Sequence, residues 1–223
     1  MINVKNLTKR YFIGTEEIRA VDDVSFNVKK GEFVSIIGHS GSGKTTLLSL
    51  IGGLTRPDTG TIYINGVDIL SLNDDELSEY RNQKVSFVYQ FSSLIPTLTS
   101  LENVILPTIF SKEKRPDRLS KAKELLELVG LKDKFNAYPA QLSGGQQRRV
   151  AIARAFINEP ELVLADEPTG DLDEETEKEV MALFEKFNTE KGITFVLVTH
   201  NRELARNASR RFQMSVGKLN ELG

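Results

Sequence analysis

Three short apolar runs stand out along the chain: Phe33-Val34-Ser35-Ile36-Ile37, Leu162-Val163-Leu164-Ala165 and Thr194-Phe195-Val196-Leu197-Val198. Each is rich in β-branched or aromatic residues, lacks strict alternation, and runs on into Gly, Asp or His. Strands buried on both faces of a parallel sheet read this way. Helical stretches lie between them, for instance at 45–51 and 174–186. The βα alternation predicts a doubly wound α/β sheet with its ligand crevice at the carboxyl ends of the strands. The first third differs: residues 2–7, 24–28 and 61–64 alternate apolar with polar, and Pro57-Asp58-Thr59-Gly60 is a turn signal. They predict an antiparallel sheet flanking the core. From about 91 to 157 the chain is helix-rich. Ser120 there reads as the cap of a helix that carries Glu124 and an apolar stripe to Val129, with Gly130 as its stop. This stretch separates two halves of one sheet. The expected organisation is therefore one domain over 1–223, with a core and its antiparallel part at 1–90 and 158–223 and a helical lobe at 91–157.

Between the first buried run and the first helix stands Gly38-His39-Ser40-Gly41-Ser42-Gly43-Lys44-Thr45, followed by Thr46. A strand before and a helix after give this spacing its meaning. Glycines let backbone N–H groups turn inward around phosphates, and the helix start adds its positive dipole end. Lys44 is placed to reach β- and γ-phosphates, and the Thr45 hydroxyl to ligate Mg²⁺. Chance would supply the four fixed positions in about one chain in a hundred. The run Leu162-Val163-Leu164-Ala165 ends in Asp166-Glu167. Alternation along a strand predicts that the two carboxylates point different ways, Asp166 towards the metal and Glu167 towards an attacking water whose proton it accepts. Taken alone, an apolar strand running into an acidic turn would be the blander account; the phosphate loop upstream tips the balance.

Charge and composition narrow the class. The net charge is −2, without the basic excess of a nucleic-acid binder. There is no cysteine, so no disulfide and no thiolate metal site. The first residues alternate like a strand, unlike an export signal, and no apolar run approaches the length of a membrane span. If the chain serves transport, another polypeptide is expected to form the pore.

Leu142-Ser143-Gly144-Gly145-Gln146 lies between the phosphate loop and the acidic strand. Ser143 can cap the helix that begins near Gln146, and its glycines expose N–H groups at a second positive helix end. With these three motifs the sequence resembles the ATP-binding cassette (ABC) ATPases along essentially its whole length. The resemblance implies a P-loop NTPase fold: a RecA-like parallel sheet with an antiparallel β subdomain and an inserted α-helical lobe. It implies Mg-ATP hydrolysis and a homodimer in which each signature caps the ATP of the other chain, so that two sites are shared. It implies an integral membrane permease as partner and a place in the cytoplasm, peripheral on the inner face of the cell membrane.

Position by position, the resemblance gives Tyr11 the role of stacking on adenine, and gives Gln90 contact with Mg²⁺ or the water. It makes Asp173, in Thr169-Gly170-Asp171-Leu172-Asp173, a link between the two sites, and His200 the switch histidine that contacts the γ-phosphate and steadies Glu167. Tyr11 could equally be an ordinary sheet-packing residue. His39 stands where many relatives carry Pro and is expected at the loop surface without a catalytic role. Phe91-Ser92-Ser93 departs from the usual Gln-Phe-Asn, and Asn201 from the usual Asp. The wording around Asp166–Asp173, with Ser92-Ser93-Leu94-Ile95-Pro96 and Leu98–Val104, resembles the lipoprotein-release, macrolide-export and antimicrobial-peptide-resistance branch. That branch includes the cell-division cassette, which moves no solute, so an exporter or a mechanical transducer is placed ahead of an importer. A non-transport cassette acting on DNA or the ribosome is the rival. It would bring a long coiled coil, a second cassette or cysteine zinc sites, and the sequence shows none of these. A P-loop kinase would have no reason for the signature.

Overall fold

A computed structural model describes residues 1–112, 116–170 and 172–222. In chain order the first half comprises β1 (Ile2–Ile13), β2 (Glu16–Val28), β3 (Phe33–Ile37), α1 (Lys44–Ile51), β4 (Thr59–Ile64), β5 (Val67–Asp68), α2 (Asp74–Gln83), β6 (Val85–Val88) and α3 (Ser100–Ile109). The second half comprises α4 (Arg118–Leu128), α5 (Gly144–Phe156), β7 (Leu162–Asp166), α6 (Glu174–Lys191), β8 (Thr194–Thr199), α7 (Arg202–Ala205), β9 (Arg210–Ser215) and β10 (Lys218–Leu222).

The three apolar runs become β3, β7 and β8, which lie side by side in a sheet ordered β10-β9-β3-β8-β7-β6. Its pairings are parallel except at the β9–β10 edge. Burial on both faces explains why these runs are mostly apolar; the two buried hydroxyls are hydrogen-bonded, Ser35 donating to Ala205 O and Thr194 accepting from the Gly31 amide. Phe195 and Leu197 of β8 join one core with α4, α5 and α6, whereas Val196 and Val198 join another with α1 and the antiparallel sheet. That second sheet, ordered β2-β1-β4-β5, is the one its alternation predicts. Burying a large core side chain contributes about 1.5–3 kcal/mol, and Phe184 and Phe195 are fully buried where the helices meet the sheet.

Register sets the crevice. Ile37 pairs with Thr199, Asp166 with Val198, and Val88 with Ala165. The chain therefore leaves β3, β8, β7 and β6 at one end of the sheet, delivering Gly38, His200, Glu167 and Gln90 to the same edge. The helices α3, α4 and α5 are inserted between β6 and β7, strands that pair directly.

One local expectation needs correction, and one helix was not foreseen. Ser120 lies inside α4, which begins at Arg118 with Asp117 at the cap position, where its side chain makes no capping hydrogen bond. Gly130 does end the helix, at φ 74, with its amide bonded to the carbonyl of Glu127. The helix α2 was not foreseen, although Asn73 and Glu76 form a reciprocal capping box at its start.

Candidate active site

The loop after β3 turns sharply into α1, and Gly43 is the residue that permits it. At φ 104 and ψ 2 it occupies the cap position without a side chain to accept from the first helical amides. A Cβ at this position would lie 1.9 Å from the Ala20 carbonyl oxygen. Lys44 is buried, with Nζ donating to the carbonyls of Gly38 at 2.8 Å and His39 at 3.0 Å. Beside it the Ser42 hydroxyl is buried with no hydrogen-bond partner among the described residues. Uncapped amides, an ammonium and an orphaned hydroxyl around one turn fit an anion with several oxygens. His39 is exposed at the loop surface.

This loop floors a cavity of about 750 Å³ lined also by Tyr11, Thr45, Thr46, Gln90, Asp166 and Glu167. Asp166 ends β7 and accepts a hydrogen bond from Thr45. Burial, and then the charge of Glu167, hold its carboxyl above the usual range. Asp166 and Glu167, expected to point different ways within one site, both line the cavity. The reason is that β7 stops at Asp166, and Glu167 stands beyond it in a left-handed conformation at φ 48. Its amide donates to Val198 O at 2.9 Å, and its Oε2 meets Nδ1 of His200. A non-glycine residue at positive φ next to a cavity is a strained position held by its surroundings.

Tyr11 is exposed on β1, with the Lys9 ammonium 5.5 Å from its ring centroid. Glu17, Arg19 and Asp22 of β2 share that wall, with Arg19 Nε 2.7 Å from Glu17 Oε1. Sequence reasoning missed these three; only their place opposite Tyr11 in a hairpin could have suggested them.

Other members of the set lie elsewhere. Ser143, Gly144, Gly145, Gln146, Asp173 and His200 do not line the cavity. Ser143 caps α5: its Oγ accepts from the Gln146 amide at 3.2 Å, and Gln146 Oε1 accepts from the Ser143 amide at 3.0 Å. Ser143 and Gly144 are exposed, and a Cβ on Gly144 would meet nothing within 4 Å. Asp173 caps α6 by accepting from the amide and hydroxyl of Thr176, at 2.9 and 2.8 Å. The methyl group of Thr176 lies 3.0 Å from where a Gly145 Cβ would be, so the signature turn rests on the start of α6. Asp171, part of the same motif as Asp173, lies outside the described residues.

Comparison with known proteins agrees with this geometry. The chain is 48% identical over 223 residues to the uncharacterized ABC transporter ATP-binding protein MJ0796 of Methanocaldococcus jannaschii, covering 98% of this chain and 95% of that protein. It is 44% identical over 219 residues to the uncharacterized ABC transporter ATP-binding protein YvrO of Bacillus subtilis, covering 98% and 95%. Identity is 45% over 223 residues to the macrolide export ATP-binding/permease protein MacB of Rhodopirellula baltica; there the match covers 99% of this chain but spans only 33% of the relative. Among solved structures, the dimeric post-hydrolysis state of the MJ0796 cassette bound to ADP and Pi superposes with a TM-score of 0.91 at 45% identity. That superposition covers 100% of this chain and 99% of the other. No helix among the described residues is long and apolar enough to cross a membrane. The family described as ABC transporter matches residues 21–170, the stretch that holds the phosphate loop, the signature turn and the Asp166-Glu167 pair, and the chain belongs to that family.

Proposed function

We infer that this chain is the ATP-hydrolysing nucleotide-binding subunit of an ABC transporter, and that two copies close face to face on two shared ATP sites. One observation carries the second part. The chain presents two anion-binding helix starts, at Gly43 and at Ser143, and only the first opens into its own cavity. An exposed, capped helix start ending in an open glycine needs its anion from elsewhere, and a twofold dimer supplies it twice. The MJ0796 cassette, described as dimeric in two solved structures, supports this reading.

Within one site the loop amides, Ser42 and Lys44 hold the β- and γ-phosphates, and Tyr11 offers its ring to adenine. Thr45 and Asp166, already hydrogen-bonded to each other, would hold Mg²⁺ with Gln90 beside them. This hard-oxygen set suits an ion that keeps water and phosphate oxygens as its other ligands. Bound there, Mg²⁺ would offset the charge on the phosphate oxygens. Glu167 accepts the proton of the attacking water. His200 positions that carboxylate through Nδ1, which leaves Nε2 available to face a phosphate. On the partner's side, Ser143 to Gln146 closes over the γ-phosphate.

The cassette drives a permease at the cytoplasmic face of a membrane. The relative named an ATP-binding/permease protein, of which this chain spans a third, supports that partner and the macrolide-export branch. Mixing Ser143→Arg chains with Lys44→Ala chains tests the sharing. Each variant alone is inactive in both sites, whereas a mixed dimer retains one intact composite site and about half of the wild-type sites per dimer. ATPase activity returning on mixing supports the arrangement; given that one composite site suffices for turnover, inactivity of a mixture shown to contain heterodimers refutes it.

A further inference from the structure

Arg148 stands two residues beyond Gln146 on α5 and is only 6% exposed. Its Nη1 donates to the carbonyl of Tyr89, the residue before Gln90, and its Nη2 lies 3.5 Å from the carbonyl of Gly170. Gly170 belongs to the segment after Glu167, to whose carbonyl its own amide donates at 3.0 Å. It also packs on the Gln90 side chain, since a Cβ there would lie 3.0 Å from Gln90 Nε2. One buried guanidinium thus joins the signature helix to the segments that carry Gln90 and Glu167. In the shared-site arrangement those parts serve different nucleotides. Gln90 and Glu167 act on the chain's own ATP, and the signature acts on the partner's.

We propose that Arg148 is a positioning residue that couples the two ATP sites of the dimer. The inference rests on the shared-site reading above. A guanidinium is planar, always charged and rigid in its donor geometry. Buried, it leaves an N–H donor unsatisfied when it gives up a protein carbonyl without gaining water. The carbonyls of Tyr89 and Gly170 therefore travel with α5. When the start of α5 docks on the partner's nucleotide, the same movement reaches Gln90 and Glu167 in the chain's own site. Coupling of this kind is reciprocal, so each nucleotide favours the other. The neighbouring arginines divide in use. Arg154 donates to the carbonyls of Ser92 and Ser93, both at 2.8 Å, beyond Gln90 in the chain. Arg149 turns away, towards Val129 O and Glu179, each at 3.4 Å.

The test is the ATP dependence of hydrolysis by the full chain, with wild type, Arg148→Met and Arg149→Met measured side by side. Two sites allow a Hill coefficient of at most about 2. The wild type and Arg149→Met should approach that limit, and Arg148→Met should fall to about 1. A merely destabilised protein loses active molecules and melting temperature, but its remaining dimers keep the wild-type Hill coefficient. If Arg148→Met does not fold, Arg148→Lys keeps the charge without the fork, cannot hold both carbonyls, and should show the same loss. An unchanged Hill coefficient in the folded variant, or a wild-type dimer with a coefficient of 1, overturns the proposal. A wild type that hydrolyses ATP as a monomer refutes instead the shared-site reading beneath it.

Discussion

Replacing Gly43 by alanine puts a methyl group where the structure has no room for one. The residue sits at φ 104, and the new Cβ would lie 1.9 Å from Ala20 O and 2.8 Å from Met214 Cε. A carbon and a carbonyl oxygen need about 3.3 Å, so the phosphate loop and β2 must part by more than about 1 Å. The left-handed backbone adds about 1–2 kcal/mol for an L-residue. The parting withdraws loop amides from the phosphates, and losing one hydrogen bond to a charged group costs about 1.5–3 kcal/mol, about 10–150-fold in ATP affinity. Gly66→Ala separates the two effects. Gly66 has φ 81, nothing within 4 Å of an added Cβ, and no place in the cavity lining. Both variants should lose about 2–8 °C of melting temperature through backbone strain. Only Gly43→Ala should lose about 10–150-fold in affinity, measured by calorimetric titration with Mg-ATP. ATP binding by a folded Gly43→Ala protein within threefold of wild type would refute the reasoning, and so would an equal loss in Gly66→Ala.

Glu167→Gln should keep ATP affinity while turnover falls by about 10²–10⁴; a rate within tenfold of wild type in a phosphate-release assay would remove Glu167 as the base. Asp166 holds its proton more tightly in the fold than in the unfolded chain, because burial and then the Glu167 charge raise its pKa. It therefore costs stability at neutral pH, and that cost is relieved as pH falls through the native pKa. Asp166→Asn should thus melt higher than wild type without nucleotide at neutral pH, by a margin that shrinks towards acid, while its Mg-dependent ATP binding weakens. A margin that stays constant with pH would contradict the assignment. Tyr11→Ala should lose about 1–3 kcal/mol of ATP binding, about 5–150-fold, and Tyr11→Phe almost none; equal affinity in Tyr11→Ala would leave the ring as sheet packing.

What the sequence disclosed follows the range of the interactions that fix each feature. The strands β3, β7 and β8 were legible because burial on two faces removes the apolar–polar alternation from the pattern. Ser143 was legible as a cap because its partner, Gln146, is three residues away. The start of α4 was misplaced because it begins at Arg118 without a side-chain cap, so no local capping signal marks it. The left-handed backbone of Glu167 was not legible, because it arises where β7 stops and no local motif reports that. Arg148 was invisible as a connector: its partners, Tyr89 and Gly170, lie 59 and 22 residues away, and two adjacent arginines read as an ordinary basic helix face. His200 and Glu167, 33 residues apart, were paired beforehand only through the family resemblance, and the structure brings their side chains into contact.

The central claim concerns the signature turn at the start of α5, which presents its glycines away from the chain's own cavity. It is tested most directly by the mass of the Glu167→Gln protein in solution, by sedimentation with and without Mg-ATP. The account predicts a monomer without nucleotide, a dimer of twice the 25.0 kDa chain mass with it, and a return to monomer when Ser143→Arg is added. A Glu167→Gln chain that holds ATP and stays monomeric at every concentration, or a dimer indifferent to Ser143→Arg, would contradict it.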